Sequence, residues 1–312
     1  MSLDKIINKL ATTDNKRAYL ELHFWILCSS TIPIINIYIS LSSVEIVFLR
    51  TMTAFVIIFI FLSIKKIPLK VKTSHVLLLV FTGMLTSIYW VLFVIAAKTS
   101  NTSVTLVGMA TTPVWVSFVY PIFSKKRPTF NELMTGLSAL FGVYMIFSSS
   151  FAYSEGMFTA ILAAFFAALV TILTSKSSRR YHYLVITFYQ MLGAFLATAA
   201  VLPYYLKFIK QGSFSIPTPT DILLIIVLAI VFSIIAYSSI VKVMKKITPF
   251  SISLANNLAP IYGGVIAYFF FGESELMDLY FYGGAFIIAF AILAMPLAKF
   301  IFKLDKVEPS HS

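Results

Sequence analysis

The sequence predicts an all-α polytopic membrane protein, with about ten transmembrane helices in two inverted five-helix repeats. Three observations lead there: a strongly apolar composition, ten apolar runs of spanning length, and a correspondence between the two halves of the chain.

Of 312 residues, 59% are hydrophobic and 12% charged, with mean hydropathy +0.93. Soluble domains carry roughly 25% charged residues. Even a 300-residue soluble fold buries only about 75% of its unfolded surface, so lipid must be the solvent for most of this chain. The net charge of +12 comes in short lysine clusters between apolar runs. That is a topology signal and not a nucleic-acid surface. One cysteine, Cys28, rules out an internal disulfide and any cysteine-based metal site. No metal and no cofactor is expected. Residues 1–20 are polar, and the apolar run beginning near Leu22 is long enough to remain as a span, so no cleavable leader is expected.

A hydrocarbon core about 30 Å thick needs about 20 mostly apolar helical residues. Such runs lie near 22–41, 45–64, 75–97, 102–123 and 130–150, then 157–175, 182–206, 220–241, 248–271 and 276–298. Runs this long and without alternation read as helices and not barrel strands, because lipid offers the backbone no hydrogen-bond partner.

Charge sets the orientation. With the N-terminus inside, cytoplasmic segments hold 20 of the 24 Lys and Arg residues. The outer loops hold Lys98, Lys207 and Lys210, and Arg50 falls within a span. Both termini are therefore expected in the cytoplasm, in an inner-membrane protein.

A shift of 147 residues superposes the fourth and fifth runs on the ninth and tenth: Lys98 on Lys245, Pro113 on Pro260, Phe123 on Phe270 and Gly136 on Gly283. A shift of 140 puts Phe48, Ala54 and Phe55 on Phe188, Ala194 and Phe195, with Arg50 on Gln190. Five spans per half is an odd number, so the second half enters the membrane upside down. Inverted repeats of this kind are frequent in secondary transporters, whose substrate sites lie near the midplane between the halves. The expected organisation is a cytoplasmic segment 1–20, a first repeat 21–150, a second repeat 151–298 and a cytoplasmic tail 299–312.

The stretch GMLTSIYWVLFVIAAKTSNTSVTL followed by Pro113 resembles the drug/metabolite transporter superfamily of EamA type. So does YSSIVKVMKKITPFSISLANNLAPIYGGVIAYFFFGE, which ends at Glu273. Each is similar to the family's short cationic turn, small-residue helix, mid-helix proline and terminal Gly-Glu. The resemblance covers nearly the whole chain. It implies ten helices, two inverted halves, and export or uptake of metabolites such as amino acids. One departure stands out: where the second half has Gly272 and Glu273, the first has Lys125 and Lys126.

The candidate site residues are the polar and aromatic ones away from span ends. Arg50 could meet a substrate or gate the path, or it could snorkel to the headgroups or pair with another helix. Asn256 and Asn257 lie one turn before Pro260, where an amide seeks a partner helix, a wet cavity or a ligand. Pro113 and Pro260 are expected helix breaks and hinges, each freeing a carbonyl one turn earlier. Thr112 and Trp115 flank Pro113. Tyr89 and Trp90, with Tyr237 in the matching part of the repeat, could wall a cavity or fill a core. Ser29, Ser30, Thr31 and Asn36 make the first span unusually polar, and His23, His75 and His182 sit at span ends.

All twelve carboxylates are expected in loops or at span ends, whereas proton pumps commonly keep one at mid-membrane. No phosphate-cradling glycine loop is present, and no constellation suits an intramembrane hydrolase. The chain therefore reads as a secondary carrier of a small, neutral or zwitterionic solute and not an enzyme, with lipid as its surroundings and a monomer sufficient. A polytopic sensor or assembly subunit is the second reading, and a lipid-processing membrane enzyme the third.

Overall fold

The computed structural model describes residues 3–124, 141–142, 145, 153–272, 279–280, 282–287 and 290. Among them are eight helices long and apolar enough to cross a membrane, and no strand. They are Lys16–Tyr38, Ser43–Ile64, Thr73–Thr99, Thr102–Phe123, Ser154–Ser178, Tyr183–Ile209, Pro219–Val243 and Pro249–Phe271. These match the expected first to fourth and sixth to ninth spans. The runs expected as the fifth and tenth, 130–150 and 276–298, lie largely outside the described residues, and the described residues within them are helical. The first span is the end of a helix that already runs from Leu3 to Ser29, turns at Ser30 and Thr31, and resumes over Ile32–Tyr38.

Large apolar side chains point outward along the spans, among them Ile60, Leu77, Leu223 and Phe269, the last 82% exposed. In water such a surface would be untenable; in a bilayer it faces solvent of its own kind. Inside, helix association depends on close packing and polar contacts. The third span lies against the sixth and seventh, and two glycines allow it. A Cβ on Gly83 would sit 2.1 Å from the Gln190 carbonyl oxygen, and one on Gly193 would sit 2.0 Å from that of Val80. Polar pairs join the interiors: Gln190 Nε2 donates to Thr174 Oγ1 at 2.8 Å, and Ser238 Oγ donates to Thr187 Oγ1 at 2.9 Å.

The second and seventh spans pack through a phenylalanine ladder. Phe48 meets Phe195 at 5.8 Å between ring centroids, and Phe55 meets Phe188 at 5.5 Å. Under the 140-residue correspondence each of these contacts is the other one with the helices exchanged.

The fourth and ninth spans are both interrupted. The fourth is helical over Thr102–Met109, turns at Ala110 and Thr111, and resumes over Thr112–Ser124. The ninth runs over Pro249–Ala255, tightens to a 3₁₀ turn at Asn256–Leu258 and continues over Ala259–Phe271. They pack half against half, 102–109 on 259–271 and 112–124 on 249–255. The eighth span carries a different irregularity, a π-helical stretch over Leu228–Ala236.

One end of the bundle is tied by side chains. Lys98 Nζ donates to the Ile39 and Leu41 carbonyls at 2.6 and 2.8 Å, capping the end of the first span. Glu45 accepts from Lys210 Nζ at 2.6 Å and from the Ser215 backbone at 2.7 Å. Asp221 accepts from the Ser40 backbone and hydroxyl at 2.8 and 2.7 Å. Both carboxylates sit in the first turn of a span, where the helix dipole favours them.

The glycine contacts generate a stability prediction. Backbone atoms cannot swing aside as a side chain can, so Gly83→Val or Gly193→Val should meet or exceed the roughly 1–3 kcal/mol typical of overpacking. Detergent-solubilised protein should lose its monodisperse peak in fluorescence-detected chromatography. Gly264→Ala, whose Cβ would find only Ser103 Oγ at 3.9 Å, should leave the peak unchanged. Equal tolerance of all three would contradict the packing.

Candidate functional site

Between the first, second, third, fourth, sixth, eighth and ninth spans lies a cavity of about 180 Å³. Its size is below the roughly 300–1,000 Å³ of drug-sized sites and suits a small metabolite. Arg50 enters from the second span, and Tyr89, Trp90 and Phe93 from one face of the third. Thr112 comes from the break of the fourth span, and Asn256 from the break of the ninth. The eighth contributes Phe232, Ala236 and Tyr237, and the first contributes Trp25 and Ser29.

Arg50 dominates the chemistry. It is 3% exposed, so it turns into the bundle and not toward headgroups. Its guanidinium carbon lies 3.8 Å from the Trp90 ring centroid, and its Nε donates to Ser233 Oγ at 2.7 Å. Trp90 in turn meets Tyr237 edge to face at 6.2 Å. The π-helical turn sets this geometry: Ser233 donates its own proton to the Leu228 carbonyl five residues back, at 3.0 Å. π-Turns in transmembrane helices often mark functional positions.

No carboxylate answers that charge among the described residues. Glu45 and Asp221 are engaged at the tied end of the bundle, and Glu21 faces Lys242 at 3.5 Å. Glu155 is exposed in the first turn of the sixth span. Cation–π contact contributes about 0.5–2 kcal/mol and a charged hydrogen bond about 1.5–3 kcal/mol, against a desolvation penalty of several kcal/mol for a buried ion.

The helix breaks supply polarity without supplying free oxygens. Proline 113 leaves the Met109 carbonyl without its backbone donor, and Thr112 Oγ1 fills in at 2.6 Å. Proline 260 does the same to the Asn256 carbonyl, which takes the Ala259 N–H instead. Each carbonyl freed by a proline is thus claimed within its own break.

Of the residues singled out from sequence, Arg50, Tyr89, Trp90, Thr112, Tyr237 and Asn256 meet around this one cavity. Asn257 does not: it is 4% exposed, off the cavity, with no hydrogen bond to either amide atom. Asn36 is buried in the same condition. Trp115 turns away to stack edge-on against Phe165 of the sixth span, at 5.3 Å. Trp25, Phe93, Phe232 and Ser233 went unnoticed in the sequence, where an aromatic or serine in an apolar run looks like core. Ser233 does fall on Thr86 under the 147-residue shift, the one sign that could have singled it out.

A second, more open cleft of about 450 Å³ opens beside the ends of the third, fourth, sixth and ninth spans. His75, Lys176, Arg179 and Arg180 line it together with Tyr181 and Thr248, and among the described residues no carboxylate does. His75 Nδ1 bonds the Tyr181 hydroxyl, and Arg180 Nη1 lies 3.3 Å from His75 Nε2. His182, in the adjacent turn, stacks on Tyr183 at 4.3 Å. Burial and the Lys245 charge push its pKa below the ordinary histidine value.

A model of the EamA-like transporter family matches residues 24–148 and again residues 154–297. Over 194 residues, 61% of this chain and 67% of the relative, the sequence is 26% identical to an uncharacterized transporter of Archaeoglobus fulgidus. A protein of known crystal structure superposes with a TM-score of 0.65 over 94% of this chain and 100% of its own, at 14% identity, a likeness of fold.

The cavity's boundary is testable by chemical accessibility. In a Cys28→Ser background, Asn256→Cys and Thr171→Cys should react with a small, water-soluble thiosulfonate. Asn257→Cys and Trp115→Cys should react at least about tenfold more slowly. The reverse order, read by mass shift, would contradict the placement.

Proposed function

The chain belongs to the EamA-like transporter family, and from that premise we propose that it is a secondary carrier. It moves a small amino acid-like, neutral or zwitterionic solute across the inner membrane by alternating access, with both termini in the cytoplasm. The single observation behind this reading is the cavity at the meeting of the two halves. Arg50, Asn256 and the Tyr89–Trp90–Tyr237 aromatics converge there on a space fit for a metabolite. They come from both family-matched segments. Trp90 and Tyr237, equivalent under the 147-residue shift, touch each other, which is what residues near a two-fold axis between inverted halves would do. The reciprocal phenylalanine ladder and the half-on-half packing of the broken spans support the same symmetry.

Alternating access needs elements with two arrangements. The breaks at Pro113 and Pro260 are natural hinges, because the helix on either side is already uncoupled there. For driving force, the described spans hold no carboxylate facing the cavity, and both freed carbonyls are claimed. The carrier is therefore read as a facilitator or exchanger, with no proton or sodium coupling.

In proteoliposomes, uptake of a transported solute should equilibrate with no pH or sodium gradient imposed. Asn256→Ala should lower it about tenfold, the worth of one hydrogen bond in the site. Asn257→Ala should change it less than threefold. Accumulation that follows an imposed proton gradient would overturn the uncoupled reading, and full activity in Asn256→Ala would overturn this site.

A further inference from the structure

We propose that the transported solute carries a carboxylate and that Arg50 is its dock. The inference rests on the carrier reading and adds the chemical group by which the cavity selects.

Arg50 has three nitrogens on its guanidinium. Nε is spent on Ser233, and Trp90 covers one face. Among the described residues neither Nη atom finds an acceptor, and Arg50 forms part of the cavity wall. A guanidinium in this state offers a planar pair of N–H groups, which match the two oxygens of a carboxylate. Arg cannot lose its proton to escape the charge, and among the described residues no acidic side chain reaches it. A ligand that brings the negative charge removes the mismatch and leaves when the cavity opens. The position is also fixed in advance. The Trp90 face and the Ser233 bond hold the guanidinium plane, so little is lost in ordering it on binding.

The rest of the cavity agrees. Its other polar groups, Thr112, Thr171, Ser29, Tyr89, Tyr237 and Asn256, are neutral, so they accept a polar or cationic remainder of the solute without repelling it. The open cleft is basic, with no carboxylate among its described lining residues. The two share the sixth and ninth spans, Thr171 and Ile252 lining the cavity, Ser175 and Thr248 the cleft, one helical turn apart. Basic side chains about one turn from the cavity raise the local concentration of an acid on that side.

The test uses the full chain in proteoliposomes and a matched panel of leucine, phenylalanine and serine. Each acid is assayed beside its carboxamide and its decarboxylated amine. At least one acid should enter about 10- to 100-fold faster than its amide and amine, the discrimination expected of a lost charged hydrogen-bond pair. Arg50→Gln should lose that preference, and Arg50→Lys, which keeps the charge but not the fork, should fall between. Amides or amines moving as fast as acids would overturn the carboxylate dock and leave the carrier reading standing. So would an Arg50→Gln protein that still prefers acids. No movement of any compound would sink the carrier reading and the inference with it. The wild-type comparison decides even if no Arg50 variant inserts.

Discussion

A positive charge buried with no acidic partner among the described residues organises much of this bundle. Arg50 sits inside a membrane span, where insertion scales charge about 2.5–3.5 kcal/mol for an arginine. The protein offsets part of that with the Trp90 ring and the Ser233 hydroxyl. Each of those partners imposes further structure. Trp90 is packed edge-on against Tyr237, and Ser233 is aimed by a π-helical stretch of the eighth span. The second, third and eighth spans are thus positioned around one guanidinium, which forms part of the cavity wall.

Tight packing elsewhere makes that arrangement possible. The glycine-mediated approach of the third and seventh spans leaves no slack for either helix to slide. The clamp of Lys98, Glu45 and Asp221 fixes one end of the bundle. The interrupted fourth and ninth spans are the contrast: their halves pack on each other, and the missing backbone bonds are replaced locally by Thr112 and by the Ala259 N–H. In the proposed carrier the rigid helices are the frame and the two pre-broken ones the moving part. The frame holds Arg50, and the breaks bring Thr112 and Asn256 to the same cavity.

Much of this was legible in the sequence. Spans show because lipid demands about 20 apolar residues each, and proline breaks show because proline has no N–H to give. Arg50 stood out as a lone charge within an apolar run. What it does there was not legible, because its partner Ser233 is an ordinary serine. The π-turn that aims that serine has neither glycine nor proline to announce it. Asn256 and Asn257 could not be told apart, since adjacent helical residues point about 100° away from each other. The 3₁₀ turn at that point shifts the phase as well. Trp115 is a site candidate because it lies just beyond Pro113, and the resumed helix turns it toward Phe165. Lys98 reads as a loop charge, yet it caps the first span through two carbonyls that only the folded chain brings to it.

The most direct measurement watches the dock itself. The chain has three tryptophans, Trp25, Trp90 and Trp115. With Trp25→Phe and Trp115→Phe, fluorescence in detergent reports Trp90 alone, the ring against which the guanidinium lies. Titration with an acid that the protein transports should draw Arg50 toward the ligand and change Trp90 emission in a saturable way. The matching carboxamide should leave it flat at the same concentrations. A saturable change of equal size for acid and amide, or a flat response to a transported acid, would contradict the view that Arg50 awaits its counter-charge from the solute.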